Sequence, residues 1–399
     1  DKLLPIWSVS GRWNMHENVL KNVGWIDMLA LKMSFGYQGN MSALDSPRLI
    51  IKKEGMDNSF KELYSTIANY PNPNLKWEKT STYNIDVDFS LLNRKIRGTI
   101  GYYYRYTRDA FLSKKVSVVN GVEAYTVNEG NLRNQGYELT LNFMPVNTAT
   151  SLNGQQRGIV WRFDPNFGSV FNQLIDKVKR KDRVLQDEVK YEDYLNGKVQ
   201  VAGRPVNTFY SYRFKGLNPE NGWPEFKYLE TTEGQSYDGD MTSFLVYSGQ
   251  KDPYFTGGLN LNIRYRSFTL GTSFSLLLGG KTRLISPYAD LNGGRYMPSP
   301  EKNVTRDLSK RWKKPGDEKY TNIPGFIQGA GYMVTLPSGS SSYDVMYLYE
   351  KSDELVVNSS FLRCRGLNFS WQLNKEMVKK MGLNSLRLTM SVNNLFTIA

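Results

Sequence analysis

Two aspartates set two residues apart, Asp86 and Asp88, are the carboxylate pair in this 399-residue chain that most invites a chemical reading. A glycan-cleaving enzyme needs two carboxyl groups flanking a scissile bond, one to protonate the leaving oxygen and one to attack or to activate water. Asp86 and Asp88 instead share one side of one segment, in regular alternation with apolar neighbours and beside Asn84 and Ser90. That pattern is a polar lining rather than a cleft. Other chemistry-bearing residues are scarce. His16 is the only histidine and Cys364 the only cysteine. A histidine zinc site and a histidine-dependent triad within the chain are excluded, and so is an intrachain disulfide. The net charge of +13 first suggests nucleic acid. The lysines and arginines are scattered, however, and the one dense run, Lys177–Arg183, reads as a solvated loop.

The element that positions the two aspartates is a strand. Tyr83, Ile85, Val87, Phe89 and Leu91 fall on one parity and Asn84, Asp86, Asp88 and Ser90 on the other. A period of two makes one apolar and one polar face. The pattern repeats after the short Leu92–Lys95 connection, with Ile96, Ile100, Tyr102 and Tyr104 against Arg97, Thr99 and Arg105, so the two segments form a hairpin. Further alternating segments are Leu4–Trp13, Leu29–Gln38 and Asn134–Phe143, the last with Leu139 against Glu138. Gly158–Phe163 follows. A second clear hairpin sets Leu261 and Ile263 against Asn260, Asn262 and Arg264, then turns near Arg266-Ser267. The last sets Phe369 and Trp371 against Asn368 and Ser370, and continues past the basic spacer Asn374–Asn384 into Leu388 and Met390 against Arg387. Between these lie stretches without alternation: Gly39–Trp77, Arg108–Arg133, Asp164–Lys251 and Gly279–Ser359. Within the third, Phe167–Lys181 reads as a short helix, and Tyr210–Phe214 and Glu225–Tyr228 as strands.

Two architectures compete for such hairpins. In a soluble antiparallel sheet the apolar face covers a core and the polar face meets water. In an outer-membrane barrel the apolar face meets lipid and the polar face a watery lumen. The connections favour the barrel, because they alternate between short and long, as periplasmic turns and extracellular loops do. Structureless loops of such length are uncommon in compact soluble domains. No apolar run reaches the roughly 18 residues of a membrane helix, which leaves a barrel open. The tyrosines 102, 103, 104 and 106 sit at one strand end, where an interfacial girdle belongs. Arg363 and Arg365 share parity with Leu367, Phe369 and Trp371. The expectation is that at least one meets outer-leaflet lipid phosphates; the alternative is a bulge at Gly366 that turns both inward.

Seven stretches resemble blocks of the SusC/RagA family of TonB-dependent outer-membrane transporters. Residues 72–80, Asn-Pro-Asn-Leu-Lys-Trp-Glu-Lys-Thr, are similar to its NPxLxWE-T segment, and 107–112, Thr-Arg-Asp-Ala-Phe-Leu, to its TKDxLL. Residues 128–139 resemble its N-x-G-x-L-x-N-x-G-x-E-L run, 212–222 its glycine-proline turn, and 252–258 its DPxxxGG segment. Residues 357–363 and 392–397, Val-Asn-Asn-Leu-Phe-Thr, are similar to blocks near its C-terminal end. The blocks occur in the family's order across nearly the whole chain.

The resemblance implies an all-β chain, residues 1–399 being the C-terminal portion of one antiparallel transmembrane barrel of about 22 strands, with roughly 11 to 14 of them here. The plug, the TonB box and the last strands are expected outside it, and the start at Asp1 reads as that of a piece of a longer protein. The implied activity is TonB-driven import of an oligosaccharide or oligopeptide through the outer membrane of a Bacteroidetes-type bacterium, without catalysis or cofactor. Implied partners are a SusD-like lipoprotein lid, TonB, outer-membrane lipid and lipopolysaccharide, and a second copy of the transporter–lid pair. On that reading Asn84, Asp86, Asp88, Glu138, Asn260, Asn262, Arg264 and Arg387 line the lumen. Ile85, Val87, Phe89, Leu139, Leu261, Ile263, Phe369 and Trp371 face lipid. The loop aromatics Trp223, Tyr288, Trp312 and Tyr320 either stack on cargo or pack within the loops and against the lid. The rival reading is an extracellular β-rich glycan-binding or adhesion protein without transport.

Overall fold

The computed structural model describes residues 4–41, 49–56, 59–69, 75–115, 124–152, 155–177, 191–227, 229, 244–289, 301, 303–326, 332–336 and 342–399. Its frame is one eleven-stranded antiparallel sheet. The strands are β1 Trp7–Asn14, β2 Ile26–Asn40, β3 Glu78–Leu91, β4 Ile96–Lys115, β5 Ala124–Asn147, β6 Ile159–Ser169, β7 Phe171–Lys177, β8 Phe255–Tyr265, β9 Phe268–Leu278, β10 Phe361–Gln372 and β11 Arg387–Ile398. Each pairs with the strand next in sequence, except that β7 prolongs β6 along β5 beyond a break at Val170, and β8 pairs with β6. The wall is therefore a meander, and its connections fall alternately at its two ends. The strands β1, β3, β5, β8 and β10 run out at one end of it, and β2, β4, β7 and β9 at the other.

Alternation carries through the register. Leu31, Val87, Ile100 and Leu139 stand opposite one another across β2 to β5, and Trp161, Ile263, Leu270 and Phe369 across β6 to β10. This face is apolar and open: Ile85 is 45% exposed, Ile100 52% and Met390 65%. The opposite face is polar and more covered, with Asp88 8% and Ser90 6% exposed. Hydrophobic burial would drive the reverse in water. Aromatic rings mark both ends of the apolar face. Trp7, Phe35, Tyr83 and Tyr104 form a row across four strands near the long connections, with centroids 5.2, 4.6 and 6.2 Å apart. Near the short ones, Phe268 stacks on Trp371 at 5.8 Å.

The long connections at 191–250 and 281–358 fold together into a separate apolar core. It contains Leu195, Tyr210, Tyr212 and Phe244 from the first, and Tyr288, Leu308, Met346, Leu348 and Tyr349 from the second. Two glycines open the way into it. Gly279 and Gly280, both at φ +78°, end β9 and let the chain turn out of the wall into a short ladder, Lys281–Arg283 with Val356–Asn358.

Five sequence expectations are corrected. Arg108–Arg133 is strand over its described part: β4 extends to Lys115 and β5 starts at Ala124, and register shifts around Ala110 break the alternation there. Phe167–Lys181 is strand over its described part rather than helix, because it continues β6 into β7 along β5. The spacer Asn374–Asn384 contains a helix, Lys375–Lys380, whose first turn is capped by the Asn374 side chain accepting from the Glu376 N–H at 3.2 Å. Gly39–Trp77 contains a hairpin, Ile50–Met56 with Leu63–Asn69. The Tyr210–Phe214 segment divides between two strands, Thr208–Tyr212 and Phe214–Leu217.

Candidate functional site

The polar face is a wall of short hydrogen-bonding side chains braced by ion pairs. Asp88 is its best-held carboxylate. Lys32 Nζ lies 2.5 Å and Arg12 3.5 Å from Oδ2, and the Thr99 hydroxyl donates to Oδ1 at 2.9 Å. Asp86, on the same face, lies over Gly101, where a Cβ would collide with the carboxylate. Asn84 donates to Ser34 Oγ at 3.0 Å. Farther round, Arg162 pairs with Asp164 at 2.8 Å, Asp164 accepts from Asn142, and Asn142 accepts from Arg97 at 3.2 Å. Glu138 faces Gly101 and Gly168. Asn260, Asn262 and Arg264 stand opposite Ser273, Gly271 and Thr269, and Arg387 opposite Gln372. All eight sequence-predicted polar positions thus lie on one face of one sheet, and Ile85, Val87, Phe89, Leu139, Leu261, Ile263, Phe369 and Trp371 on the other. Asp88 is engaged by two cations and a hydroxyl, which leaves the aspartates without the arrangement of a hydrolytic pair.

Two sequence expectations are corrected here. Tyr103 follows strand parity onto the polar face, its hydroxyl donating to the Ser169 carbonyl at 3.1 Å, so it is no part of the aromatic row to which Tyr104 belongs. The second is the arginine pair. Ser273 faces Gly366 but Phe274 faces Cys364, which makes Arg365 the extra residue of a bulge. Beyond it Arg363 faces Ser275 and donates to Thr397 Oγ1 at 3.1 Å. Arg363 therefore belongs to the polar face, and the expected contact with outer-leaflet lipid is corrected for it. On β11 the same irregularity places Asn394 at φ +52°.

The loop aromatics divide. Tyr288 is 1% exposed, and its hydroxyl donates to the Pro324 carbonyl. It is a core ring, packed within the loops. Trp312 is half-buried over Gly222 and Gly325, with Nε1 3.4 Å from Glu318 Oε2. Gly222, at φ +70°, has no room for a Cβ beneath that indole. Trp223 is half-buried and lies 5.3 Å from Tyr332, and Tyr320 is 90% exposed. Sequence reasoning missed Arg283, which knits the loops together. Its guanidinium donates to the Leu195 and Tyr210 carbonyls at 3.2 and 2.9 Å and to Ser211 Oγ at 2.8 Å. No carboxylate answers it among the described ion pairs, and burial lowers its pKa to about 10. No local signal in the sequence marks it.

Several of the seven blocks sit where the regular ladder is interrupted. Glu78 accepts from the Phe111 N–H at 2.6 Å, and Asn128 Nδ2 donates to the Asp109 carbonyl at 2.7 Å and to that of Lys76 at 2.9 Å. Three blocks distant in sequence thereby satisfy one irregularity of β4, where Asp109 has φ +55°. Asn358 accepts from Ser360, whose Oγ accepts from the Gly279 N–H at 2.9 Å, at the point where the ladder leaves the wall. Residues 72–74 of the first block lie outside the described residues.

A family model described as TonB dependent receptor-like, beta-barrel matches residues 53–281. The chain is 26% identical over 412 residues to the TonB-dependent receptor P3 of Formosa agariphila, covering 96% of this chain and 36% of that protein. It is 27% identical over 368 residues to the TonB-dependent receptor SusC of Bacteroides thetaiotaomicron, covering 89% of this chain and 32% of that one. The chain thus spans about a third of the length of these curated relatives. Among solved structures it is similar to the RagAB peptide transporter, with a TM-score of 0.70 and 20% identity over 99% of this chain and 40% of that one. The fold, the register of the two faces and the family model agree: this chain belongs to the TonB-dependent receptor-like β-barrel family of the outer membrane.

Proposed function

We propose that the chain supplies part of the wall and the outer loops of a transporter that imports oligosaccharides or oligopeptides through the outer membrane with energy delivered by TonB. The observation that carries this reading is the open apolar face, bounded by an aromatic row at one end and the stacked Phe268 and Trp371 at the other, behind a polar face of amides, hydroxyls and paired charges. In a bilayer that arrangement puts Ile85, Val87, Phe89, Leu139, Leu261, Ile263, Phe369 and Trp371 in hydrocarbon. Asn84, Asp86, Asp88, Glu138, Asn260, Asn262, Arg264 and Arg387 then line an aqueous lumen. The long connections face outward, where a SusD-like lid would close over them, and Trp223, Trp312 and Tyr320 are the aromatic faces nearest such a lid or cargo.

The first and last strands each pair on one side only within this chain, so further strands must close the wall. The plug and the TonB contact belong to those other parts. Lipopolysaccharide at the aromatic row and pairing of two transporter–lid units complete the proposed set of partners. The test uses the full-length protein in cells. Fluorescent oligosaccharides and oligopeptides should accumulate inside only while TonB is active, and surface binding should persist when TonB is inactivated. Accumulation that is indifferent to TonB, or extraction of the protein without detergent, would overturn the reading.

A further inference from the structure

An open cavity of about 240 Å³ lies at the short-connection end of β8 to β11. Three parts of the chain enclose it: the β8–β9 turn, the polar face of β9 to β11, and the connection that carries the helix Lys375–Lys380. Arg266, Lys375 and Arg387 line it, and no carboxylate does. The rest of the lining is largely hydroxyl and amide, including Thr269, Ser370 and Gln372.

Several described cations elsewhere meet carboxylates, as Lys32 does Asp88, Arg162 Asp164 and Arg213 Asp353, while the buried Arg283 is held by carbonyls and a hydroxyl instead. None of the three lining cations enters an ion pair among the described residues. Arg387 Nε donates to Gln372 Oε1 at 3.0 Å, and the Arg266 guanidinium lies 5.2 Å from the Tyr265 ring. Both forks keep further N–H donors free of any carboxylate. Glu376, the one acid of the helix, is exposed and stands outside the lining.

Three uncompensated positive charges around a hydroxyl-lined hollow of this size attract an oxyanion. A guanidinium fork matches two oxygens of a tetrahedral anion, and an ammonium adds a point charge that needs no fixed geometry. An inorganic phosphate dianion offsets more of the repulsion among the three cations than a single carboxylate would, and a phosphodiester, though singly charged, presents the same tetrahedral oxygens to the guanidinium forks. We propose that this cavity binds a phosphate group. Two sources carry that chemistry: inorganic phosphate, and the headgroup of an anionic phospholipid whose chains would lie against the exposed Met377, Met381 and Leu383. The proposal does not depend on the cargo or on TonB.

The test is a calorimetric titration of the full-length protein in neutral detergent at constant ionic strength. One arm uses inorganic phosphate, the other short-chain phosphatidylglycerol, with chloride and short-chain phosphatidylcholine as controls. Saturable one-site binding of at least one phosphate probe is expected. It should weaken at least tenfold in Arg266→Gln/Arg387→Gln, weaken less in Lys375→Gln, survive in Lys375→Arg, and be unchanged in Lys310→Gln at the opposite end. Phosphatidylglycerol that displaces inorganic phosphate identifies a headgroup site, and phosphate binding alone identifies a site for the free anion. Wild type without saturable binding overturns the proposal whatever the variants do. So does binding that Arg266→Gln/Arg387→Gln leaves intact, or that chloride matches. Slower migration of the heated than of the unheated protein on a gel shows that each variant has assembled, and that readout also separates a failed site from a failed barrel.

Discussion

The wall and the outer loop cluster are built by opposite rules. In the wall, Ile85, Ile100 and Met390 stand open while Asp88 and Ser90 are covered. In the cluster, Tyr212, Phe244, Met346 and Leu348 are at most 1% exposed. The pair of Arg213 with Asp353 at 3.2 Å lies toward its surface, and the buried Arg283 is satisfied by carbonyls and a hydroxyl. One chain thus answers two solvents. The cluster is stabilised by removing apolar surface from water. The wall gains nothing comparable from its outer rows until hydrocarbon covers them, and is held meanwhile by ladder bonds and cross-strand pairs. The same substitution should therefore act differently in the two regions.

The largest effect is expected from a cavity in the cluster. Leu348 is fully buried, and Leu348→Ala should destabilise the cluster by about 2–5 kcal/mol. Limited proteolysis of the full-length protein should then cut within residues 191–250 or 281–358, while the barrel still migrates as folded on an unheated gel. If barrel and cluster are lost together, the two regions are one cooperative unit and the contrast fails. Next comes a charge on the open face. Ile263→Arg should impair assembly by about 2–4 kcal/mol, whereas Asn260→Arg, opposite Asp164, should be accepted. Equal loss of folded protein from both variants would remove the distinction between the faces. Asp88→Arg is not a tolerated control, since it would set a third cation against Lys32 and Arg12.

The smallest effect is a pH slope confined to the cluster. Burial raises the pKa of Glu350, with neighbouring Lys351 opposing the shift. The folded cluster therefore binds more protons than the unfolded chain between the ordinary carboxylate value and the raised one. Its stability should fall as pH rises through that window and then level off. Glu350→Gln should flatten the slope, measured as the pH dependence of protease resistance in residues 342–358. A slope that survives the substitution belongs to another group.

Much of the wall is legible in sequence because a period of two is local. Asp86 between Ile85 and Val87 needs no distant contact to declare its face. Bulges are not legible in that way. Arg363 reads as an outward residue until the partner strand shows that Gly366 and Asn394 shift the register. Phe167–Lys181 fails for a related reason: the break at Val170 interrupts the alternation, and β5 supplies what continues the strand. The cluster is least legible. Tyr288 and Trp223 look alike in sequence, and only contacts between segments some 100 residues apart make one a core ring and leave the other half-exposed. The polar positions of the candidate site follow from alternation, whereas Arg283 and the cavity at Arg266 follow from pairing that no single stretch encodes.

The strand order also has a consequence in time. Because neighbours in the wall are almost always neighbours in the chain, each strand can join an edge its predecessor has already made, with short loops to close on the turn side. The loop cluster has no such schedule. Its two contributors flank the β8–β9 hairpin, so Tyr212 cannot meet Leu355 until residues 255–278 have taken their place. The outer loops must wait for the wall to bring them together, and until then their apolar side chains are the part of the chain most in need of protection from aggregation.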